Sequence, residues 1–265
     1  MRVKLLIFCI LSFITCMISC KKAPLSIGAI TTETRQLDFF DKVKIHDNIN
    51  LTFVKSDTNY VVITTGNNLI DNILTEINAA DSTLTIKNGN ALDWLRPYEY
   101  QLNVELHFKD INYVYIATSG TVTTENQFNS DTIYNPYPGD TLPDQLKYVF
   151  EVDGASGNID IELNNCPYLY FNYEYGTSNV KIRGNNNGFL KIRKRSFGDV
   201  NALDYQAERV TVVSNSLADC HVSVGDRLVT RINNIGNIYY RCNKNEPPLI
   251  DNRYGPVAKG KLIKL

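Results

Sequence analysis

Apolar and polar residues alternate along most of the chain in short runs. The alternation begins near Phe40, where Val43 and Ile45 form the first apolar pair, and turn-forming residues separate the later runs. A two-residue period is typical of a strand with one buried face, whereas an amphipathic helix repeats every three to four residues. One segment fits a short helical turn, which begins at Asn68 and is capped by that asparagine. The pattern predicts an all-β protein whose first strands are β-hairpin-like.

A short motif recurs in the second half of the chain: a small residue, then Asn or Asp, then an apolar residue. Its copies are Gly157-Asn158-Ile159, Ser178-Asn179-Val180, Gly198-Asp199-Val200, Ala218-Asp219-Cys220 and Gly236-Asn237-Ile238. Successive apolar positions lie 21, 20, 20 and 18 residues apart, with a second apolar alternation between each pair. A unit of two strands cannot bury its own apolar face, so copies must stack to close a core. The repeat predicts a parallel β-solenoid with about 20 residues and two strands per rung.

Residues 129–145 interrupt this repeat. Gly120-Thr121-Val122 extends the series one rung earlier, and the 37 residues from Val122 to Ile159 correspond to one repeat plus an insert. The interrupting segment carries three Pro and little alternation. We therefore expect an insert loop there.

The recurring Gly-Asn or Gly-Asp has a local explanation in turn geometry. A chain that turns a corner often needs a residue with positive φ, which Gly allows freely and which Asn and Asp allow better than most residues. Their side chains also bond nearby amides. We therefore expect a ladder of turns at Asn158, Asn179, Asp199, Asp219 and Asn237. A calcium ladder is the weaker alternative, because calcium-binding nonapeptide repeats have much denser Gly and Asp.

The N-terminus has the features of an export signal. Two basic residues precede an uncharged apolar stretch over residues 5–18. Such a stretch reaches about 21 Å as a helix, less than the ~30 Å hydrocarbon core of a membrane. Ser19 before Cys20 resembles the bacterial lipobox, in which the cysteine is lipidated and becomes the mature N-terminus. We predict a lipoprotein signal peptide at residues 1–19 and lipidation of Cys20; an ordinary signal peptide is the alternative.

The segment after the lipobox lacks periodicity. Residues 20–36 mix Pro, Gly, Ser and Thr, so we expect a flexible lipidated tether that leads to a folded domain at 37–265. Lys21 follows the cysteine in place of an Asp, which favours sorting to the outer membrane. The body then faces either the periplasm or the medium.

Charge and cysteine content narrow the possible partners. Lys and Arg number 27 against 28 Asp and Glu, and removal of residues 1–19 leaves 25 − 28 = −3. This balance gives no basic excess to hold nucleic acid. Three cysteines remain besides Cys20, and their wide spacing favours small buried hydrophobes over a metal site. They are Cys166, Cys220 and Cys242. We expect no metal and no cofactor.

No motif in the chain points to catalysis. The three histidines, His46, His107 and His221, lie far apart, and the chain has neither a nucleophile elbow nor a phosphate-binding glycine loop. We therefore expect no enzyme activity. A β-helix enzyme that acts on polysaccharides is an alternative, because it can assemble Asp, Lys and Arg from separate rungs.

The order of these features resembles the head GIN domain family. The resemblance rests on the Gly-Asn-Ile turns at 157–159 and 236–238, the opening Phe40-Asp41-Lys42-Val43, and Ser82-Thr83-Leu84-Thr85-Ile86. It covers residues 37–241 and departs from the family in the Pro- and Tyr-rich insert and in a Cys where most rungs have Ile or Val. It implies a parallel β-solenoid, no assigned catalytic residues, and an envelope lipoprotein described as an adhesin.

Alternation also predicts what one sheet face presents to solvent. If Val114, Ile116 and the matching apolar pairs of later rungs point inward, their neighbours point outward. These neighbours are Tyr113, Tyr115, Tyr168, Tyr170, Lys191, Arg193, Arg209 and Thr211. Tyr and Arg are favoured at interfaces, so we expect a partner-binding face; ordinary cross-strand packing on a solvated sheet is the alternative.

These observations together predict a lipid-anchored, non-catalytic binding or adhesion module of the cell envelope. The expected partners are the membrane, through the lipid, and either a glycan or an envelope protein. A structural component of a larger envelope complex is the rival interpretation.

Overall fold

The chain is all-β in the part that the structure describes, as predicted. The computed structural model describes residues 26–91, 100–125, 128, 147–164, 166–185 and 188–265. Strands make up 62% of the structure, and its one helical element is a 3-10 turn at Ile70–Asn72. Asn68 does not cap this turn, because its side-chain amide donates to the Ser26 carbonyl at 3.0 Å. The predicted signal peptide, Cys20 and the 129–145 insert lie outside the described residues.

Nineteen strands occur within the described residues. They are β1 (Ile30–Gln36), β2 (Lys42–Asp47), β3 (Asn50–Lys55), β4 (Tyr60–Gly66), β5 (Ile73–Asn78), β6 (Thr83–Asn88), β7 (Asn103–Phe108), β8 (Tyr113–Thr118), β9 (Val122–Thr124), β10 (Lys147–Ala155), β11 (Ile159–Glu162), β12 (Tyr168–Gly176), β13 (Val180–Asn185), β14 (Phe189–Lys194), β15 (Val200–Ser214), β16 (Cys220–Ile232), β17 (Ile238–Cys242), β18 (Leu249–Tyr254) and β19 (Leu262–Lys264). Most are short, whereas β15 has 15 residues and β16 has 13.

The strands pair in two series, which we call ladder A and ladder B. Ladder A contains, in spatial order, β1, β4, β7, β3, β9, β11, β13, β15, β16, β17 and β19. Ladder B contains β5, β6, β2, β8, β10, β12, β14, β15, β16 and β18. Pairing is parallel except at β1–β4, β4–β7 and β5–β6. From β7 to β14 consecutive strands alternate between the ladders, and β15 and β16 contribute to both.

The strand register confirms the alignment of the repeat copies. In ladder A, Val180 pairs with Val200, Val200 with Cys220, and Cys220 with Ile238. All four side chains are buried. In ladder B the inward residues that line up and are buried in the same way include Leu169, Leu190, Val210 and Leu228. The two ladders therefore turn their apolar faces to one shared core.

The small residue of the motif is required by close backbone contact at one corner. A Cβ atom at Gly157 would clash with the Gly120 carbonyl oxygen, and one at Gly198 would clash with that of Ser178. Neither glycine has a positive φ, and no Asn or Asp of the repeat has one either. The expectation of positive φ is therefore wrong, because the glycines serve a close approach between repeat copies and not a left-handed turn.

The Asn and Asp side chains link one repeat copy to the next, as expected for a turn ladder. Asp199 Oδ1 accepts the Asp219 amide at 2.9 Å, and Asp219 Oδ1 accepts the Asn237 amide at 2.7 Å. Asn237 Oδ1 accepts the Lys261 amide at 2.9 Å. A side chain that satisfies a backbone amide of the next copy fixes both the spacing and the register of the corner.

The tether is shorter than predicted, because residues 30–36 belong to the fold. They form β1, which pairs antiparallel with β4 over its whole length. Arg35 fastens this strand by donating to the Ile70 carbonyl at 2.9 Å and pairing with Glu33 at 2.8 Å. The strand has polar residues on both faces, so hydrophobic alternation does not reveal it.

Two of the three cysteines outside the signal region belong to the core. Cys166 and Cys220 are buried, Cys242 is partly exposed, and all three are free thiols. Burial raises the pKa of both Cys166 and Cys220 to about 12. Cys220 thus occupies the inward position that Val200 and Ile238 hold in the neighbouring strands.

Replacing Gly198 by Ala should destabilise the protein, because the added methyl group meets the Ser178 carbonyl oxygen. We expect the free energy of unfolding, measured by urea titration with circular dichroism, to fall by roughly 1–3 kcal/mol. Gly225→Ala is the control, since its nearest neighbours are the movable side-chain tips of Glu208 and Asn243. A loss at Gly225 as large as at Gly198 would contradict the close-approach explanation.

Thiol reagents should distinguish the cysteines by burial and pKa. In the native protein at pH 8, maleimide should label Cys242 at least about 100-fold faster than Cys166 or Cys220, whose thiolate fractions are very small. Mass spectrometry of tryptic peptides reads out each site, and all three should react at similar rates in urea. Rapid native labelling of Cys220 would show that the repeat register is wrong.

Candidate binding face

Metal-ligating side chains do not cluster in the described ranges. Among these residues no group of three or more His, Cys, Asp or Glu side chains is placed to hold a metal ion. Nor do these ranges contain a helix with the length and apolar character needed to cross a membrane. The candidate site is therefore the sheet surface that the sequence pattern singles out.

The outward side chains of ladder B form this surface, which we call the outer face. Val114 and Ile116 are buried in the core, as are the matching residues Leu169, Phe171, Leu190, Ile192, Val210 and Val212. Three columns of outward residues cross the strands. They run Tyr113, Val149, Tyr170, Lys191; Tyr115, Glu151, Asn172, Arg193; and Tyr168, Phe189, Arg209, Arg227. The register thus brings all eight residues that alternation predicted to face outward to one side of one ladder, with Thr211 next to Lys191.

Tyr113 and Tyr115 are each held by a carboxylate. The Tyr113 hydroxyl donates to Glu151 at 2.6 Å, and the Tyr115 hydroxyl donates to Asp153 at 3.0 Å. Partial burial and the bond to Asp153 raise the pKa of Tyr115 above its usual value. These pairs fix both rings and occupy the carboxylates at this end of the outer face.

Tyr168 and Tyr170 are not exposed, so the prediction that they present a free aromatic surface is wrong. Only 2% of Tyr168 and 7% of Tyr170 are accessible to solvent. The Tyr168 ring stacks on Phe189 with centroids 5.0 Å apart, and Lys191 Nζ lies 5.1 Å from the Tyr170 ring centre. With Val149 the two tyrosines form a small hydrophobic cluster apart from the main core. Burial raises the pKa of Tyr170, and both rings support the sheet instead of anchoring a partner.

A series of basic side chains follows this cluster along ladder B, and we call it the basic stripe. It consists of Lys191, Arg193, Arg209, Arg227 and Arg231. The first three were predicted from alternation. The last two lie on β16, where Arg227 pairs directly with Arg209. Arg227 and Arg231 are exposed, so the stripe is open to solvent at its C-terminal end.

Within the described part of the chain, most of the basic stripe forms no ion pair, although Asp226 lies within electrostatic reach of Arg209 and Asp251 within reach of Arg227. Arg193 lies 3.5 Å from Glu174, which also pairs with Arg195 at 3.1 Å. No ion pair with a described residue joins the other four cations of the stripe. Arg209 and Arg227 are direct neighbours, and like charges in such positions destabilise a sheet. The stripe therefore concentrates positive charge on a chain whose net charge is −1.

Alternation alone misses Arg227 and Arg231 because it does not decide which residues of β16 face the core. Either Leu228 or Val229 fits an inward position in the sequence. The structure selects Leu228, which is buried and pairs with Val210. Once that orientation is known, both arginines fall on the outward side.

The ladders, the corner motif and the surface site define a class of repetitive, mostly parallel β proteins. Within that class, the chain belongs to the family described as "Putative auto-transporter adhesin, head GIN domain", whose model matches residues 39–243. The resemblance drawn from the corner motif and the opening strands is thereby confirmed.

Solved structures share this fold at low sequence identity. A protein from Bacteroides fragilis described as a putative adhesin has a TM-score of 0.69 and 15% identity, over 89% of this chain and 97% of its own. One from Parabacteroides distasonis with the same description has a TM-score of 0.58 and 16% identity, over 90% and 98%. A second Parabacteroides distasonis protein, described as a putative lipid binding protein, has a TM-score of 0.56 and 16% identity, over 89% and 97%. No curated protein matches the chain.

Proposed function

We propose that this protein is a non-catalytic binding module of the bacterial cell envelope whose basic stripe binds an anionic glycan. The observation that carries the proposal is the direct pairing of Arg209 with Arg227 in neighbouring strands, where neither arginine forms an ion pair with a described carboxylate. Such an arrangement costs folding stability, and a bound polyanion relieves that cost. The names of the structural neighbours, two adhesins and a lipid binding protein, support binding over turnover.

A glycan fits the outer face better than an envelope protein does. Protein interfaces use exposed aromatic residues as central anchors, and here Tyr168 and Tyr170 are buried. The accessible cations lie on the three neighbouring strands β14, β15 and β16, and Arg209 and Arg227 pair in adjacent strands about 4.8 Å apart. A group of cations spread over three neighbouring strands suits a linear polymer that carries several carboxylates or phosphates.

The carboxylates of the outer face support a non-catalytic role. Glu151 and Asp153 accept hydrogen bonds from Tyr113 and Tyr115, and Glu174 pairs with two arginines. Glycoside hydrolysis needs a pair of carboxyl groups that flank the scissile bond. On this face the carboxylates are bound to neighbouring side chains instead.

The body is proposed to be a solenoid with two strands per rung, attached to the outer membrane through lipid on Cys20. Support for the solenoid comes from the alternation of consecutive strands between ladder A and ladder B. Support for the anchor comes from the lipobox-like sequence before Cys20. A lipid places the basic stripe close to the envelope polymers that it would bind.

Neutralising the two paired arginines of the stripe should weaken binding to an anionic polysaccharide. The mature chain with Cys20→Ala should bind polygalacturonate in a salt-dependent manner, and dextran should not bind. Arg209→Gln with Arg227→Gln should weaken binding at least about tenfold, since each charge-assisted contact contributes ~1.5–3 kcal/mol. Isothermal titration calorimetry measures the dissociation constants.

The matched control for that experiment lies on ladder A. Lys181→Gln with Arg241→Gln removes the same charge from residues whose side chains lie near Asp204. Equal losses of affinity in the two double variants would show that binding depends only on the net charge of the protein. That result would reject the basic stripe as the site. If the mature chain bound an acidic envelope protein but no polysaccharide, the glycan proposal would be rejected in favour of a protein partner.

Lipidation is tested on the full precursor in a bacterial host. The mature protein should fractionate with membranes and carry a diacylated Cys20, and Cys20→Ala should release it or block processing. Intact-mass analysis of the mature N-terminus provides the readout, and Cys16→Ala, which leaves the lipobox-like sequence intact, is the control. An unlipidated mature N-terminus in the wild type would refute the anchor.

A further inference from the structure

Three large apolar side chains stand exposed in a row along the corner between the two ladders. They are Phe197, Leu217 and Ile235, with 63%, 47% and 49% of their surfaces accessible. Each directly precedes the small residue of its repeat copy, so the three occupy the same position in successive copies. We call this row the corner ridge. Contiguous exposed apolar side chains on a folded protein usually mark an interaction site.

The polarity of the chain is inverted at this corner. Ser196 and Ser216, the residues just before Phe197 and Leu217, are buried while the apolar side chains face solvent. The Ser216 hydroxyl donates to the Ser196 backbone carbonyl at 2.5 Å, so a specific bond holds the Ser216 side chain inside. Folding alone favours the opposite arrangement. The exposure of the ridge is therefore a specific feature of the corner conformation and does not result from incomplete packing.

The mature N-terminus leaves the fold at the same corner. Strand β1 runs in the same direction as β7, because both pair antiparallel with β4. Thr32 pairs with Thr64, and Thr64 pairs with Asn103 at the start of β7. Ile30, which is exposed, therefore lies at the end of ladder A from which its parallel strands start, where the ridge also lies.

Chain length then sets the distance from the lipid. The six residues from Cys20 to residue 25 reach at most ~20 Å when extended. Seven strand-to-strand steps separate β1 from β15, or about 34 Å at ~4.8 Å each. A lipid at Cys20 would therefore hold one end of this edge near the membrane, and the ridge lies on the same edge further along. If both touch the bilayer, the long axis of the body lies along the membrane surface.

Basic residues flank the ridge. Arg195, two residues before Phe197, and Lys259, whose amide bonds to the residue before Ile235, are both exposed. Arg195 is paired with Glu174 at 3.1 Å, and the carboxylates of Asp199 and Asp219 beside the ridge each accept an amide of the next repeat copy. An apolar row with cations beside it matches the boundary between lipid headgroups and acyl chains.

We propose that the corner ridge inserts into the surface of the lipid bilayer, so that the protein lies with this edge along the membrane. The orientation rests on the proposed anchor at Cys20, because the tether brings this edge to the bilayer. A diacylated cysteine already anchors a protein stably, so the ridge contact would set the orientation of the body on the membrane and not its retention there. The basic stripe then stands beside the membrane, where anionic envelope polymers are accessible.

The test uses the unlipidated mature chain, Cys20→Ala, with vesicles of phosphatidylethanolamine and phosphatidylglycerol. Co-sedimentation should show binding that persists in part at high salt, because insertion is apolar. The triple variant Phe197→Ser, Leu217→Ser, Ile235→Ser should lose about tenfold or more in vesicle affinity. Phe39→Ser, Leu249→Ser, Ile250→Ser is the control, since these exposed side chains lie just before β2 and at the start of β18, away from the ridge. Circular dichroism and urea unfolding check that both variants are folded.

Each other outcome overturns the proposal. Equal losses in the two triple variants would mean nonspecific apolar adsorption, and binding that salt abolishes but the ridge variant keeps would mean electrostatic attraction alone. Dimerisation of the parent that the ridge variant removes, without vesicle binding, would assign the ridge to a second copy. A missing lipid in the wild type would refute the anchor but leave the vesicle result unchanged, so the two proposals fail separately.

Discussion

Close contact between the backbones of successive repeat copies at one corner constrains the rest of this molecule. At Gly157, Gly198 and Gly236 a carbonyl oxygen of the preceding copy occupies the space where a side chain would begin. That approach fixes the strand spacing, and the Asp199 and Asp219 side chains lock it by accepting the next amide. With the corner fixed, every following strand enters its ladder in the same phase. The alignment of residues in the shared core, on the outer face and along the ridge therefore depends on this corner contact.

The sequence predicts this architecture where buried and exposed residues alternate clearly. The spacing from Val180 to Val200 to Cys220 gives the parallel register, because one inward position recurs in each copy. It does not reveal β1, whose pairing depends on edge hydrogen bonds and on Arg35. It also assigns the wrong cause to the corner glycines, because distances between copies are a tertiary property. A motif can thus be located correctly while the force that selects it is misread.

The outer face shows a second limit of sequence patterns. Alternation assigns the side of the sheet on which a residue lies, and it does so correctly for Tyr168, Lys191 and Arg209. It does not determine what packs against that side. Tyr168 is buried there by stacking on Phe189, whereas Arg227 is open to solvent. The exposure of an outward side chain depends on what packs against it from the adjacent strands. Alternation therefore predicts which residues lie on a face, and the structure is needed to show which of them are accessible to a partner.

The pairing pattern also makes the two halves of the chain unequal in how they reach the native state. In the C-terminal half, Val180 meets Val200 across only 20 residues, and each strand finds its partner soon after it. In the N-terminal half, Lys42 pairs with Tyr113 and Leu51 with Val122, each 71 residues away. Short loops close quickly and long ones slowly. During synthesis, β2 and β3 therefore lack their partners β8 and β9 until residue 124 has been made, although β2 can pair earlier with β6, and the remaining copies can then add one at a time.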